Sequence, residues 1–348
     1  AWGCEGAGAV TDGPVKEDSL VEAEMLVEAE VIERNSIEVP GIIPAEDGPV
    51  IGLAGDDTLD KHLRREMMKE ERAIAMQFHG GATWVYAALT VTCFAIWVSL
   101  FPLAILGYLG PVGLTLGFLF STFCAAYGFI PSHEAMHSNI YPRGHKHYWA
   151  NELTGHLSTI PIALGFGVAR LTHMEHHKHT NDSALDPDYT DGAPNWWQAV
   201  LKTWWNRQPG VEGSVHRYKR MMVDMDTPAS RRAAMETTVL QLVMFATFFG
   251  MAWSGYAIEV AVLWWLPRQV GLSWIRFWLS WAPHHPQEKG RYQNTRIFKA
   301  RLGYWASMAM EYHLIHHLYP GIPNHRQREA FHALKDVLRR QGVDVSAH

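Results

Sequence analysis

Histidine is concentrated in three short stretches of this chain, which read HEAMH at 133–137, HMEHH at 173–177 and HLIHH at 313–317. Residues three and four positions apart lie on one face of a helix, so each stretch is predicted to present two or three imidazoles together. Neutral imidazole binds iron, zinc and copper. The stretches therefore predict a metal site built from distant parts of the chain. Its predicted ligands are His133, His137, His173, His176, His177, His313, His316 and His317.

The number of these histidines limits the kind of metal site. A tetrahedral zinc ion takes four ligands, so eight imidazoles are more than one zinc ion needs. They suffice for two metal ions, and a pair of iron ions that reacts with O2 is the simplest hypothesis. A membrane zinc-binding protein or transporter without redox chemistry is the alternative from another class. That alternative predicts histidines within the membrane helices, whereas nearly all of them lie outside the apolar segments.

Four apolar segments, arranged in two pairs, precede and separate the histidine stretches and must position them. Residues 83–105 and 112–130 are each long enough to cross about 30 Å of hydrocarbon as a helix, and together they predict a first hairpin. Residues 237–253 and 256–281 form a second candidate hairpin with a very short turn. Charged residues and a proline interrupt its second member, which is therefore expected to be kinked, tilted or partly shielded by protein.

The distribution of basic residues predicts the side of the membrane on which the histidines lie. Lys and Arg flank both outer ends of the first hairpin, whereas residues 106–111 between its helices contain neither. Cytoplasmic loops of membrane proteins are enriched in Lys and Arg. The sequence therefore predicts a multi-pass integral membrane protein whose histidine stretches face the cytoplasm.

Amphipathic segments lie between and before the apolar ones. Residues 60–78 are predicted to form a charged helix that leads up to the membrane. Residues 157–171 are apolar but short, so we expect them to enter the interface without crossing the bilayer. Residues 195–207, NWWQAVLKTWWNR, combine Trp with basic residues, which is typical of an interfacial helix.

The two ends of the chain are predicted to lie outside the membrane domain. Residues 1–60 contain 15 acidic and two basic residues, a composition that favours a disordered tail. We assign residues 61–335 to the membrane domain and 336–348 to a C-terminal tail. The sequence does not open with a basic stretch followed by an apolar core, so no signal peptide is predicted.

The distribution of charge along the chain indicates which kinds of partner to expect. The whole chain has a net charge of −5 and residues 1–60 have −13, so the remainder carries +8. The basic residues lie among Trp-rich and apolar segments, which fits a membrane surface better than nucleic acid. The sequence therefore predicts a membrane partner and no nucleic acid.

The order of HEAMH, HMEHH and HLIHH around two apolar hairpins resembles the integral-membrane fatty acid desaturase superfamily, which also contains carotenoid ring hydroxylases and ketolases. The resemblance covers roughly residues 80–335, and HTND, DPD at 186–188 and HLYPGIP at 317–323 are also similar to this family. It implies an all-α integral membrane fold with about four transmembrane helices in two hairpins. A cytosolic helical cap over these helices would hold the di-iron site.

The resemblance also implies a ninth ligand. Members of the family supply a further histidine near the end of the fourth membrane helix, where this chain has WAPHHP at 281–286. The first histidine of that pair, His284, is the expected ligand. His179, the remaining histidine of HMEHHKH, is expected to lie outside the ligand set. His156, one apolar stretch upstream of HMEHH, is expected to be neither a ligand nor a residue that orients one.

Carboxylates near the histidine stretches are candidates for orienting the ligands. A metal-bound imidazole commonly donates its other N–H to a carboxylate or a carbonyl, which fixes its tautomer. We expect some of the nearby acidic residues to do this, and the candidates are Glu134, Glu175, Asp182, Asp186, Asp188 and Glu311.

The resemblance implies an O2-dependent oxidoreductase that acts on unactivated C–H bonds of a lipid. A fatty acid desaturase that introduces a double bond into an acyl chain is the preferred hypothesis. A carotenoid (β-carotene) ring hydroxylase is the alternative, because PHHPQEKGRYQNTRI and EYHLIHHLYPGIP also resemble the terminal part of those hydroxylases. The expected cofactors are two iron ions, cycling between Fe2+ and Fe3+, with O2 as co-substrate. Because the sequence shows no fused haem or iron–sulfur motif, we expect a separate electron donor such as ferredoxin or a cytochrome b5-type protein.

Overall fold

The computed structural model describes residues 57–80, 84–189, 192–208, 211 and 213–348. All regular secondary structure within these residues is helical, which confirms the all-α class. Residues 1–56 of the acidic tail predicted for residues 1–60 lie outside the described residues.

The helices and the segments that join them follow one another along the chain. The α-helices are α1 (Asp57–Ala75), α2 (Trp84–Ile105), α3 (Pro111–Tyr127), α4 (Phe129–Met136), α5 (Tyr148–Thr159), α6 (Phe166–His179), α7 (Trp196–Trp205), α8 (Ser214–Met225), α9 (Pro228–Met251), α10 (Ala257–Val260), α11 (Leu266–Ile275), α12 (Ala282–His284), α13 (His313–Leu318) and α14 (Asn324–Arg340). Short 3-10 helices lie at Ile160–Ile162 and Met310–Tyr312, and π-helical segments at Ala252–Tyr256, Ala261–Trp265 and Arg276–Trp281.

Three of the described helical runs are long and apolar enough to cross a membrane: Trp84–Ile105, Pro111–Met136 and Pro228–His284. The first matches the predicted segment 83–105 to within one residue, and the second contains the predicted segment 112–130 and continues to Met136. Their outer surfaces expose apolar side chains such as Leu89 and Leu116, as expected where lipid takes the place of water. A count of four crossings and a cytosolic cap stay predictions.

The third run reverses its direction at Gly255. This residue has φ 99° and ψ 0°, a conformation that glycine adopts without steric cost. The rings of Phe248 and Trp264 stack with centroids 4.2 Å apart. Sixteen residues of straight helix would instead separate them by about 24 Å. Pro228–His284 therefore folds into two arms, and its turn lies between the segments predicted to form the second hairpin.

The start of the first arm is fixed by local hydrogen bonds. Thr227 Oγ1 accepts a hydrogen bond from Ser230 N and Ser230 Oγ accepts one from Thr227 N, both at 3.0 Å. This capping box satisfies amide groups that have no partner within the helix, and Pro228 at the first helical position lacks such an amide. The boundary between the polar loop and the membrane arm is thus set by Thr227, Pro228 and Ser230.

The second arm is irregular and packs on the chain between α5 and α6. Two of the three π-helical segments lie within it, at Ala261–Trp265 and Arg276–Trp281. Trp264 Nε1 donates to Pro161 O at 3.2 Å, and Arg268 Nε donates to Ile162 O at 2.9 Å. These bonds hold the 3-10 helix Ile160–Ile162 against the arm. The apolar residues 157–171 thus form no single helix of their own.

A separate apolar core joins α1, α13 and α14. Phe331, Leu334 and Leu338 of α14 are fully buried in it. The last helix runs across the boundary predicted between residues 335 and 336. Leu338 near its end belongs to this core, and so do Val343 and Val345 after it. Residues 336–348 are therefore part of the folded domain.

We predict that Gly271→Ala lowers stability, because a Cβ there would lie 2.6 Å from Ala125 Cβ and 2.8 Å from the Ala125 carbonyl carbon. Overpacking of this kind costs about 1–3 kcal/mol. The matched control is Gly250→Ala on α9, where an added Cβ meets nothing within 4 Å. Thermal unfolding of the purified protein in detergent measures both. Equal melting temperatures for the two variants would contradict the close packing of α11 on α3.

Candidate metal centre

Four elements bring the nine predicted ligands into one buried cluster. HEAMH occupies α4 and the residue after it, at the end of the apolar run that begins with α3. HMEHH lies on α6, HLIHH on α13, and α12 ends the second membrane arm. Between the histidines of α13, Leu314 and Ile315 point into the core beneath α14. The apolar side chains of α13 thus lie on one face of the helix and its imidazoles on the opposite face.

One set of histidines, group A, contains His133, His137, His173, His177 and His316. One ring nitrogen from each of His133, His137, His173 and His316 lies within 4.8 Å of the others. His137 Nε2 and His173 Nε2 are 2.8 Å apart. His177 Nε2 joins them, at 3.1 Å from His173 Nε2 and 3.0 Å from His316 Nε2.

The second set, group B, contains His176, His284, His313 and His317. One ring nitrogen from each of His176, His284 and His317 lies within 4.8 Å of the other two. His313 Nε2 lies 3.1 Å from His317 Nε2. The two groups adjoin, since the rings of His177 and His317 stack with their centroids 4.2 Å apart.

The assignment to groups follows the helical spacing. In α6, His173 and His177 are four residues apart and belong to group A, whereas His176 belongs to group B. In α13 the arrangement is exchanged: His313 and His317 belong to group B and His316 to group A. Positions i+3 and i+4 lie on either side of position i and are about 100° apart around the helix. Each of these helices therefore serves both groups.

The nitrogen atoms of these groups fit metal ions. A metal–imidazole bond is about 2.1 Å long, so two such nitrogens at right angles around one ion lie about 3.0 Å apart. The Nε2–Nε2 distances of 2.8–3.1 Å match this value. One neutral imidazole Nε2 either donates or accepts, so hydrogen bonding cannot satisfy the whole set. His133 Nε2 and His284 Nε2 are buried and have no hydrogen-bond partner among the described residues.

Groups outside the cluster orient several imidazoles. His176 Nδ1 lies 2.9 Å from Asp186 Oδ1, and His284 Nδ1 donates to Asn294 O at 3.1 Å. His317 Nδ1 is 3.4 Å from Thr180 Oγ1. A proton held on Nδ1 leaves Nε2 with a lone pair for a metal. These contacts thus direct three Nε2 atoms of group B into the cluster.

The electrostatics keep most of these side chains neutral. Burial, reinforced by the repulsion that neighbouring imidazoles would exert if they were protonated together, lowers the pKa well below 6.5 for His137, His173, His177, His313, His316 and His317. Burial also lowers the pKa of His176, but the carboxylate of Asp186 acts in the opposite direction, and the net shift is upward. Neutral imidazole is the form that binds metals, so the six lowered values favour metal binding at neutral pH.

The structure separates the ligand candidates from their neighbours in sequence. His179 is outside the cluster, 3.6 Å from Glu175 Oε2. His156 Nδ1 contacts Glu236 Oε1 at 3.0 Å. His285 stacks on Trp281, whereas His284 faces the ring of His176 with centroids 4.7 Å apart.

Of the six candidate carboxylates, Asp186 is the one with a described hydrogen bond to a histidine of the cluster. The other five bind elsewhere: Glu134 accepts from Asn324 N, Glu311 from Ala300 N, Glu175 from Lys178, Asp182 from Lys289, and Asp188 from Arg276. The Asn294 carbonyl was not predicted, because a backbone acceptor leaves no signal in the residue types. Thr180 could have been found, since it follows the histidines in HTND.

Comparison with known proteins places all nine histidines within one family match. The family description "Fatty acid desaturase" matches residues 109–347, which include all nine histidines. An sn-2 acyl-lipid omega-3 desaturase (ferredoxin), chloroplastic, from Helianthus annuus is 25% identical over 219 residues, 54% of this chain and 48% of that protein. An sn-1 oleoyl-lipid 12-desaturase from Synechocystis sp. is 23% identical over 329 residues, 85% of this chain and 86% of that protein. A zeaxanthin 4-ketolase from Chlamydomonas reinhardtii is 31% identical over 121 residues, 31% of this chain and 27% of the ketolase.

The length of the match differs between relatives. The chain spans about half of the Helianthus annuus desaturase, and 65% of an sn-1 oleoyl-lipid 12-desaturase from Picosynechococcus sp.. The family match, in contrast, covers more than half of this chain. Together with the long apolar helices, it identifies an integral membrane protein. The resemblance seen in the histidine stretches is thus confirmed, and the chain belongs to the fatty acid desaturase family.

Proposed function

We propose that this protein is a membrane-bound, O2-dependent di-iron oxidoreductase that introduces a double bond into an acyl chain of a lipid. The observation that carries the proposal is the convergence of nine imidazoles from four elements into two adjoining groups. The match to the desaturase family supports iron over zinc for these groups. Group A would hold one ion and group B the other.

The histidines would contribute by binding and orienting the metals. Iron bound at the two groups would supply O2 activation and the oxidation of an unactivated C–H bond. The residues around them supply burial: His133, His284 and His316 are almost completely inaccessible to solvent. A dry environment of this kind prevents side reactions with water.

An apolar region connects the membrane helices to the third histidine stretch. Ile275 and Trp278 of the second arm pack in one cluster with Ala125 of α3 and with Met308 and Met310. The two methionines come just before α13. We propose that this packed apolar cluster forms one wall of the route by which a lipid chain approaches the metal groups.

The names of the relatives support an acyl-lipid substrate. The Synechocystis relative, matched over 85% of this chain, is named for oleoyl lipid, and the Helianthus annuus relative is named for acyl lipid and for ferredoxin. A ferredoxin-like or cytochrome b5-type donor and a cytoplasmic location of the histidines are therefore part of the proposal. A carotenoid ring oxygenase is the second candidate, because the zeaxanthin ketolase has the higher identity over its shorter match.

The product decides between the two candidates. Expression in a host that makes both fatty acids and β-carotene is expected to yield new cis double bonds in acyl chains, measured by mass spectrometry of lipids and pigments. Oxygenated carotenoid rings with unchanged fatty acids would instead establish the carotenoid enzyme.

Purified protein is expected to contain about two irons per chain. Zinc alone, without O2 consumption, would exclude both oxidative functions.

Single replacement of a ligand is expected to abolish turnover. We predict that His133→Ala, His176→Ala and His316→Ala each reduce activity to background and lower the iron content, because each removes a buried nitrogen from the cluster. The control is His179→Ala, whose side chain lies on the same helix as His176 but outside the cluster. Activity in lipid extracts and iron per chain measure the effect. Normal turnover in one of the three variants would remove that residue from the ligand set.

The bond between Asp186 and His176 is expected to strengthen metal binding. Loss of such an outer partner typically weakens affinity about 10- to 100-fold, so we predict this loss for Asp186→Asn. Asp182→Asn is the matched control, because Asp182 lies in the same loop and binds Lys289 without contacting an imidazole. Competition with a chelator measures affinity. Equal affinity in both variants would show that Asp186 has no role in holding the metal.

A further inference from the structure

A nearly buried ion pair joins the second membrane arm to the loop that follows α6. Arg276 Nη1 lies 2.5 Å from Asp188 Oδ1, and the two side chains are 14% and 17% exposed. Tyr218 OH donates to the same carboxylate oxygen at 2.6 Å, and the Arg276 guanidinium lies over the Tyr218 ring. Three elements thus meet at Asp188.

The ion pair is linked to a metal-group histidine through two further hydrogen bonds. Asp188 N donates to Asp186 Oδ1 at 2.8 Å. The same oxygen lies 2.9 Å from His176 Nδ1. The second Asp186 oxygen accepts from Asn181 N at 2.8 Å, so the carboxylate is held at both ends. The position of Asp188 therefore determines where Asp186 can hold the imidazole.

The other end of the ion pair is on the element that carries His284. Arg276 begins the π-helical segment Arg276–Trp281, which continues without interruption into α12 and His284. π-Helical segments inside α-helices are frequent at functional sites. His176 and His284 are both members of group B, with ring centroids 4.7 Å apart. The ion pair thus ties together the two elements that supply these ligands.

Group A lacks this connection. Its members on α6 and α13 have no described hydrogen bond to the loop at 186–188. We propose that Arg276 is a positioning residue for group B, which sets the separation of His176 and His284 by holding Asp188. This inference rests on the proposed di-iron function and adds that the membrane arm fixes the geometry of one of the two metals.

The test is the iron content and the Mössbauer spectrum of purified Arg276→Met protein loaded with 57Fe. We expect about one iron per chain in place of two, because metal affinity at group B falls about 10- to 100-fold while group A is kept. Two reference variants identify which iron signal is missing from the Mössbauer spectrum. The spectrum should match that of His284→Ala, which damages group B, and differ from that of His137→Ala, which damages group A.

Two controls separate positioning from general loss of structure. Arg291→Met removes an arginine of similar burial that pairs with buried Glu71 and has no described bond to the loop at 186–188, so it should keep both irons. Arg276→Lys keeps the charge and should restore most of the second iron. Tyr218→Phe removes one hydroxyl from Asp188 and leaves the ion pair. A chelator should therefore remove one of the two irons several-fold faster than it does from the wild-type protein.

The outcomes distinguish this inference from the proposed function. Wild-type protein without iron would overturn both. Wild-type protein with two irons, together with an Arg276→Met protein that keeps both or loses both equally, would overturn the positioning role alone. If Arg276→Met does not fold, Tyr218→Phe decides: wild-type release rates for both irons would overturn the proposal, and faster release of one supports it.

Discussion

The burial of many imidazoles in one place constrains the rest of this structure. An imidazole nitrogen inside a protein needs a partner, and neutral histidines at close range cannot all be partners of one another. Metal ions at the two groups would resolve this conflict, and the lowered pKa values of the buried histidines keep the ring nitrogens available for them. The helices must then deliver each nitrogen to within a few tenths of an ångström. The membrane arms, the core that joins α1, α13 and α14, and the loop around Asp186 all support that placement.

Elements far apart in the chain share this task. α4 continues an apolar run, α12 ends the second arm, and α13 is held from behind by the core that it forms with α14. Contacts between apolar side chains provide this support without adding polar atoms that would need partners of their own. The site therefore depends on packing at a distance as much as on its own ligands.

The sequence was sufficient to predict the elements that have a strong local signal. The two first apolar helices, the second hairpin and all nine clustered histidines follow from segment length, helical spacing and family resemblance. The exclusion of His179 also agrees with its position. The continuation of the last helix to Arg340 was not predicted, because Leu338 is buried by contacts with residues distant in sequence. The division of the histidines into two groups could not be predicted either, since it depends on how α6 and α13 face each other.

The exchanged spacing in α6 and α13 has a consequence for how the centre could change. Each of these helices places an i, i+4 pair at one group and the i+3 histidine at the other. The two metal positions are therefore not independent modules, and rotating either helix moves ligands toward one ion and away from the other. A mononuclear descendant could not be obtained by deleting one stretch of histidines. It would require scattered changes on both helices, because each helix contributes histidines to both groups.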